Sequence, residues 1–275
     1  MSLPLIYVCG VVAYDGADYH GFQLQRNNPT IQGALESALT SIAQAPVRVT
    51  GAGRTDAGVH ANGQVIAVHV PWRHAVEDLQ RAWNAALPAA IAVRRLQVAP
   101  PGFHPRFSAV ARTYRYTVVQ ALTATRSAPR RSPLTDRFAL YVVDPLDIAA
   151  MNRAAALFVG EHDFATFGRP PAGTNSVRTV MSAVWERVDS SLAHLDDYPG
   201  RRLVFTIRAN AFLLHMVRNV VGALLAVGRG IATQADVQSA LQACDRRRSA
   251  PPVPPQGLVL EKIEYPAELG LQLDA

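Results

Sequence analysis

Residues 53–70 read GRTDAGVHANGQVIAVHV, a glycine-flanked loop followed by an apolar segment. Residues 64–70 place hydrophobic side chains on both faces of an extended chain, as a buried strand does. A shorter β-rich run at 47–50 precedes the loop. The loop is therefore predicted to join two strands at one end of a sheet, and it presents the carboxylate of Asp56 there.

The segments around this loop predict the order β-α-β-β-α-β for the N-terminal part of the chain. Proline ends both helices, at Pro46 and Pro88. The order is that of a ferredoxin-like unit. The predicted strands cover residues 5–14, 47–50, 64–70 and 91–98, and the predicted helices begin after Thr30 and cover 74–87.

The second half of the chain predicts a similar order, with strands at 113–120, 183–189, 202–208 and 258–265 and helices at 145–159, 210–227 and 233–243. We therefore predict an α/β (α+β) fold of two ferredoxin-like βαββαβ halves, with mixed, largely antiparallel sheets and a catalytic cleft between them. The predicted domains are residues 1–104, which carry the Asp56 loop, and residues 105–275, which carry a basic segment.

Composition restricts the class of protein. The chain has 275 residues, of which 49% are hydrophobic and 17% charged, so it can bury cores and is not globally disordered. It contains no apolar run of about 18 residues, so no membrane span is predicted, and its first residues indicate a strand rather than a signal peptide. Two distant cysteines, Cys9 and Cys244, and histidines without ligand spacing predict no disulfide framework and no metal site. These features leave a cytoplasmic enzyme or binding protein.

Positive charge is concentrated in one part of the chain. The formal net charge is +6, and every basic residue except Lys262 is arginine. Residues 106–137, the basic segment, hold seven arginines and one acidic residue, Asp136, so this segment alone carries a net +6. Such clustering predicts contact with a polyanion such as RNA. A solvated charged face is the alternative for the segment, and a GC-rich genome is the alternative for the preference for arginine.

The sharpest local feature is the loop itself. Asp56 lies two residues from Arg54, and the flanking glycines allow a ligand to approach the backbone closely. An Asx-type turn, in which the aspartate bonds its own backbone, explains the same spacing. Spacing alone therefore leaves a structural and a chemical role for Asp56 open.

The loop is also one of a series of motifs. GRTDAGVHA at 53–61 resembles the signature of the tRNA pseudouridine synthase A family. Two features depart from that family: Pro105, where alanine is more usual, and the acidic loop at 195–200, which is longer than typical. Further blocks resemble the family in the same order along the chain: YDG at 14–16, GFQLQ at 21–25, FHPRFSA at 103–109, RTYRY at 112–116, GEHDF at 160–164, MVRN at 216–219 and PPQGL at 254–258.

The resemblance implies an enzyme, an isomerase that converts uridine to pseudouridine at positions 38, 39 and 40 of the tRNA anticodon stem-loop. It implies Asp56 as the catalytic residue, Tyr114 as the ring that stacks on the target uracil, and Leu258 as a residue that packs against the base pocket. It also implies a homodimer that uses no cofactor. The alternatives are another uridine position in RNA and a non-catalytic RNA-binding protein on the same scaffold.

The chemistry of this reaction requires the same residue types. Converting uridine to pseudouridine breaks a C–N bond and forms a C–C bond, which needs a positioned carboxylate, a cation and a stacking ring around a flipped nucleotide. In an extended RTYRY segment, Arg112, Tyr114 and Tyr116 share one face, and the neighbouring arginines favour a cleft position for Tyr114 over the core. The carboxylate can attack the ribose or the base, or remove a sugar proton, and the sequence leaves these routes open.

The predicted helix at 210–227 supplies the cation. Arg218 points away from the apolar stripe of this helix. We expect Arg218 to pair with Asp56 in a partly buried setting, because a buried arginine needs a carboxylate partner. The stripe consists of Leu213, Met216, Val220, Leu224 and Val227.

Three further arginines are candidates for contact with the substrate. Arg54 is expected to hold a phosphate or to fill the gap left by the flipped base. Arg106 and Arg112, at the start of the basic segment, are expected to bind the substrate. His60 is expected to have a structural role, as a hydrogen-bonding residue of the loop.

Overall fold

The computed structural model describes residues 3–121, 135–170, 173–188 and 200–273. The chain divides into two compact units. The first comprises Met1–Arg112 and Val259–Ala275, and the second comprises Thr113–Leu258.

The described residues form ten strands and five α-helices. In chain order these are β1 (Leu5–Tyr14), α1 (Ile31–Ala43), β2 (Thr50–Gly51), β3 (His60–Pro71), α2 (Val76–Ala86), β4 (Ile91–Val98), β5 (Ala111–Ala121), β6 (Leu140–Val142), α3 (Ile148–Ala155), β7 (Gly160–Asp163), β8 (Val177–Val188), β9 (Gly200–Ala209), α4 (Met216–Gly228), α5 (Gln234–Ala243) and β10 (Leu258–Glu264).

In the first unit the strands follow the order β4-β1-β3-β10, and β2 pairs with β3. β1 is antiparallel to β3 and to β4, whereas β10 is parallel to β3. β1 is buried without interruption from Val8 to Tyr14, which explains why its sequence is apolar rather than alternating. Trp83 of α2 is also fully buried, and its Nε1–H donates to the Leu35 carbonyl of α1 at 3.2 Å.

The element order predicted for the N-terminal half is confirmed, with shifts in the bounds. β3 begins at His60, four residues before the predicted start at Gln64, and β2 is limited to two residues. The predicted helix start is also confirmed, because the Thr30 hydroxyl caps α1 by accepting the Gly33 amide at 3.2 Å. The mixed α/β architecture with mostly antiparallel pairing agrees with the predicted fold class.

The closing strand, β10, groups with the first unit from Val259 onward. It pairs with β3 at Val259↔His60. The Glu264 carbonyl at its end accepts the Val110 amide at 2.8 Å. The observed units therefore differ from the predicted domains 1–104 and 105–275, because long-range backbone pairs hold both the closing strand and the segment before β5 with the N-terminal strands.

In the second unit the strand order is β5-β9-β8-β7, and β6 pairs with β5 in parallel. β8 is antiparallel to β7 and to β9. Asn152 of α3 joins that helix to β8, since its side chain accepts the Trp185 amide at 2.7 Å and donates to the Trp185 carbonyl at 2.9 Å. Large aromatic residues fill the core of this unit: Phe158, Phe164, Phe167, Trp185 and Phe205.

Two predicted helices of the second half are corrected, and β6 and β7 are strands that the sequence does not predict. The helix predicted at 145–159 is α-helical only from Ile148 to Ala155. α4 begins at Met216 rather than at Asn210. The residues before it form an isolated β-bridge between Arg169 and Leu214, which is incompatible with a continuing helix.

Candidate active site

Asp56 lies in a loop of residues 52–59 that joins β2 to β3, as the sequence predicts. A side chain of β3, the strand that follows the loop, stabilises it. Gln64 of β3 is completely buried, and its Nε2–H donates to the Gly53 carbonyl at 2.9 Å. A side chain of the sheet therefore fixes the main chain immediately before Arg54.

The residue before Asp56 is held in the protein interior. Thr55 is 6% exposed, and its hydroxyl shares a hydrogen bond of 2.9 Å with the Tyr14 hydroxyl. Its carbonyl accepts the Phe22 amide at 3.1 Å. Burial raises the pKa of Tyr14 to about 12, so this phenol keeps its proton at neutral pH and can donate it to Thr55. The main chain before Asp56 is thus anchored to β1.

Asp56 begins a tight turn. Its carbonyl accepts the Val59 amide at 3.1 Å, and Gly58, the third residue of the turn, has a φ of +76°. Glycine adopts this left-handed backbone conformation without strain. The Asp56 residue itself is half-buried. The carboxylate is therefore presented from a main chain that is defined on both sides.

A second segment, residues 15–22, packs against this loop. A Cβ placed on Gly16 would overlap the carbonyl oxygen of Val59. One placed on Gly21, whose φ is +88°, would lie 2.6 Å from the carbonyl oxygen of Thr55. The two glycines therefore allow direct backbone-to-backbone contact between the segments.

His60 links the same two segments through its ring. The side chain is buried, and its Nδ1 lies 3.0 Å from Asp15 Oδ1 and 3.1 Å from the Gly16 amide nitrogen. A protonated Nδ1 donates to the carboxylate, whereas an unprotonated Nδ1 accepts the amide hydrogen. In both protonation states His60 acts as a hydrogen-bonding residue of the loop.

We expect Tyr14→Phe to loosen the Asp56 loop. The change keeps the ring but removes the partner of the buried Thr55 hydroxyl, which should lower the free energy of unfolding by about 1–3 kcal/mol and slow turnover. Tyr7→Phe is the matched control on the same strand, because the Tyr7 hydroxyl donates instead to the Phe103 carbonyl, at 3.1 Å. Urea unfolding and turnover are measured for both variants. Equal slowing of turnover in the two would argue against a role for Tyr14 in positioning the loop.

Three predicted substrate contacts lie in the first unit with Asp56. Arg54 and Arg106 are exposed. Arg112 is half-buried, and it donates from Nη2 to the Arg106 carbonyl at 2.9 Å and from Nη1 to the Ala109 carbonyl at 3.4 Å. Arg112 therefore holds the backbone of the loop that carries Arg106, a contact that the sequence does not indicate.

Tyr114, the predicted stacking residue, lies on β5 and is half-buried. Its ring and that of Phe212 pack in a T-shaped arrangement, with ring centroids 5.1 Å apart and an interplanar angle of 84°. Tyr116, two residues further along, is completely buried and donates to the Pro254 carbonyl at 2.8 Å. Burial raises the pKa of Tyr116 above its usual value. Of these two tyrosines, Tyr114 is thus the more accessible one.

Arg218 lies in the first turn of α4 and is half-buried. Its Nε–H donates to the Val253 carbonyl at 2.8 Å, and the Val253 amide donates to the Arg218 carbonyl at 3.2 Å. A Cβ on Gly222 would lie 2.6 Å from the Pro251 carbonyl oxygen, so the proline-rich segment lies directly on the helix. These contacts orient the guanidinium group. The predicted apolar stripe is buried at every position: Leu213, Met216, Val220, Leu224 and Val227.

The predicted site residues are divided between the two units. Leu258, the first residue of β10, is 5% exposed. The first unit holds Asp56, Arg54, Arg106 and Arg112, and the second holds Tyr114, Arg218 and Leu258.

Part of the predicted RNA-binding segment lies outside the described residues, namely Arg126, Arg130 and Arg131. Residues 195–199 of the acidic loop, which departs from the family, lie outside them as well. Within the described ranges, no group of three or more histidine, cysteine, aspartate or glutamate residues could hold a metal ion. No helix in the same ranges is long and apolar enough to cross a membrane.

Comparison with known proteins identifies relatives along nearly the whole chain. A family model described as tRNA pseudouridine synthase matches residues 11–108 and 154–266. A protein named tRNA pseudouridine synthase A from Chloroflexus aurantiacus is 42% identical over 260 residues, which cover 94% of this chain and 88% of the relative. Proteins with the same name from Oleidesulfovibrio alaskensis and Bordetella parapertussis are 41% and 42% identical, over 94% of this chain and 96% and 90% of theirs. The chain therefore belongs to the tRNA pseudouridine synthase family.

Proposed function

We propose that this protein converts uridine to pseudouridine at positions 38, 39 and 40 of the tRNA anticodon stem-loop, with Asp56 as the catalytic nucleophile. The observation that carries the proposal is the Asp56 loop, whose main chain is fixed by Thr55 and Gln64 and in which the Asp56 residue is half-buried. A nucleophile needs a defined position relative to the bond that it attacks, and this loop supplies one. Family membership supports the substrate class.

The reaction needs no external reagent and no cofactor. The N1–C1′ bond of uridine breaks, the detached uracil turns, and a C5–C1′ bond forms. The proton lost from C5 is balanced by a proton gained at N1. Asp56 starts these steps by attack on the ribose or the base, or by removal of a sugar proton, and each route uses its carboxylate as an electron-pair donor.

Tyr114 and Arg218 supply the aromatic ring and the cation of the proposed mechanism. Tyr114 stacks on the target uracil, and its edge contact with Phe212 keeps the ring plane in place for that role. Arg218 provides positive charge where negative charge develops, from a guanidinium that Val253 orients. Leu258 packs against the uracil pocket.

The remaining arginines contact the RNA in this proposal. Arg54 holds a phosphate or fills the gap that the flipped nucleotide leaves, for which its exposure next to Asp56 is suitable. Arg106 contacts the sugar–phosphate backbone of the RNA. Arg112 positions Arg106 for this contact by donating a hydrogen bond to the Arg106 carbonyl. We further propose that the enzyme acts as a cytoplasmic homodimer, since a second basic surface can hold the body of a long tRNA.

The function is tested by pseudouridine-specific chemical mapping of tRNA with and without the protein. New pseudouridine at positions 38, 39 and 40 is the expected result. Pseudouridine at another position would support the proposed reaction but overturn positions 38, 39 and 40 as its site on the tRNA. Tight tRNA binding without any pseudouridine would instead indicate a non-catalytic RNA-binding protein.

We expect Arg218→Ala to slow turnover by about 10²–10³-fold, because a preorganised charge at the reacting group is lost. Arg218→Lys should retain part of the rate, since it keeps the charge but loses the Nε contact to Val253. The control is Arg229→Ala at the end of the same helix, where the arginine bonds Asp144 at 2.9 Å. Single-turnover rates at saturating tRNA measure all three. A lysine variant as slow as the alanine variant would assign orientation, rather than charge, to Arg218.

A further inference from the structure

Phe107 is an exposed aromatic residue that the proposed mechanism does not use. Phe107 and Ile231, each 76% exposed, are the most exposed large hydrophobic residues in the described part of the chain. Isolated apolar residues on a surface are common, so exposure alone does not indicate a function. What distinguishes Phe107 is the loop that holds it.

The loop of residues 104–108 is closed by its own hydrogen bonds. His104 Nδ1 accepts the amides of Arg106 and Phe107 at 3.1 Å and 3.3 Å. The Ser108 amide donates to the His104 carbonyl at 3.0 Å, and the Ser108 hydroxyl accepts the His104 amide at 3.1 Å. The backbone that carries Phe107 is therefore defined before any ligand binds.

The same loop is also attached to the rest of the first unit. The Tyr265 hydroxyl donates to the Pro105 carbonyl at 2.7 Å, and Arg112 donates to the Arg106 carbonyl at 2.9 Å. Burial raises the pKa of the Tyr265 phenol, so it stays a donor at neutral pH. A backbone that is fixed in this way loses little conformational freedom when a ligand stacks on the ring it carries.

The groups around the ring indicate the chemistry of the ligand. The His104 ring lies 4.4 Å from the Phe107 ring, centroid to centroid, and the Arg106 guanidinium carbon lies over the Phe107 ring, 5.6 Å from its centroid. An exposed aromatic ring with a guanidinium against it suits a nucleotide, because a base supplies a π-face and its phosphate supplies the negative charge. An apolar protein partner would leave the arginine charge without a counterpart.

We propose that Phe107 stacks on an unpaired base of the tRNA substrate while Arg106 contacts an adjoining phosphate. The inference rests on the proposed function, because it takes tRNA as the ligand. It assigns Phe107 to the binding of a base other than the target uracil. Loss of the ring should therefore weaken the complex and leave the chemical step nearly unchanged.

The test measures RNA affinity with an anticodon stem-loop in which cytidines replace the uridines at positions 38–40, so that no turnover occurs. Phe107→Ala should raise Kd by about 5- to 150-fold, which corresponds to one base–aromatic stack of about 1–3 kcal/mol. Phe107→Tyr should bind nearly as the wild type does. Ile231→Ala, a change at an equally exposed residue of the second unit, should leave Kd unchanged.

A second RNA separates stacking from charge. A blunt-ended duplex of the same length offers phosphates but no unpaired base, so wild type and Phe107→Ala should bind it equally. An unchanged Kd of Phe107→Ala for the stem-loop, or an equal loss on both RNAs, would overturn the proposal. A shift from dimer to monomer without loss of RNA affinity would assign Phe107 to a second copy of the chain and overturn it as well.

The same preparations keep this inference separate from the function itself. If the wild type forms no pseudouridine in natural tRNA, the proposed function fails whatever Phe107 does. If the wild type is active and Phe107→Ala binds normally, only the stacking role fails. The single-turnover rate of Phe107→Ala at a saturating concentration of the natural stem-loop should lie within about threefold of the wild-type rate. A larger loss of rate would indicate a role for Phe107 in the chemical step and overturn the assignment to binding alone.

Discussion

Replacing Asp56 by asparagine should give a protein that folds and binds tRNA but forms no pseudouridine. Asparagine has nearly the size of aspartate, and the change leaves in place the contacts of Thr55 with Tyr14 and of Gly53 with Gln64. The amide can neither attack as a nucleophile nor accept a proton. Turnover should therefore fall by at least about 10³-fold.

Single-turnover kinetics on an anticodon stem-loop measures this loss, together with RNA affinity and a thermal melt of the same preparation. Glu77→Gln is the matched control, because it removes an exposed carboxylate from α2 of the same unit and should leave the rate unchanged. Near-normal turnover by Asp56→Asn would remove Asp56 as the nucleophile, and most of the proposed mechanism with it.

The position of Asp56 could be predicted from the sequence because the signals are local. Glycines and polar residues between two strand-forming runs predicted the loop, and the structure places it between β2 and β3. The direction of Arg218 on α4, away from the buried apolar stripe, can be predicted in the same way from the helical period.

The contacts that stabilise the Asp56 loop could not be predicted, because they join residues that are far apart in sequence. Tyr14 and Thr55 are separated by 41 positions, and periodicity does not encode such a pair. One signal was present nevertheless. Gln64 directly precedes the apolar run of β3 that begins at Val65, and a buried amide there needs a hydrogen-bond partner, which proves to be the Gly53 carbonyl.

Tertiary pairing also explains where the predicted elements and units differ from the observed ones. The apolar spacing that begins near Asn210 continues into α4, yet Leu214 bridges to Arg169 and His215 has a φ of +63°. The helix can start only after these residues. Most of β10 likewise groups with the first unit because it pairs with β3, a strand that is distant in sequence.

Gly16→Ala should be the most damaging single-methyl change near the site. The new Cβ would overlap the Val59 carbonyl oxygen, which is a backbone atom that cannot turn aside as a flexible side chain would. We expect the free energy of unfolding to fall by about 3 kcal/mol, at the upper end of the range for overpacking. Because Val59 closes the turn that begins at Asp56, turnover should fall as well. Urea unfolding and single-turnover rates measure the two effects.

Gly53→Ala is the matched comparison, because Gly53 lies in the Asp56 loop itself. A Cβ there meets no atom within 4 Å among the described residues, and its φ is outside the left-handed region. The change should leave stability unaltered or raise it by up to about 1 kcal/mol, through loss of freedom in the unfolded chain. If Gly53→Ala proved as destabilising as Gly16→Ala, the close approach of Gly16 to Val59 would not be the cause. Sequence alone treats both positions as loop glycines, and only the contact with Val59 distinguishes the one that must stay glycine.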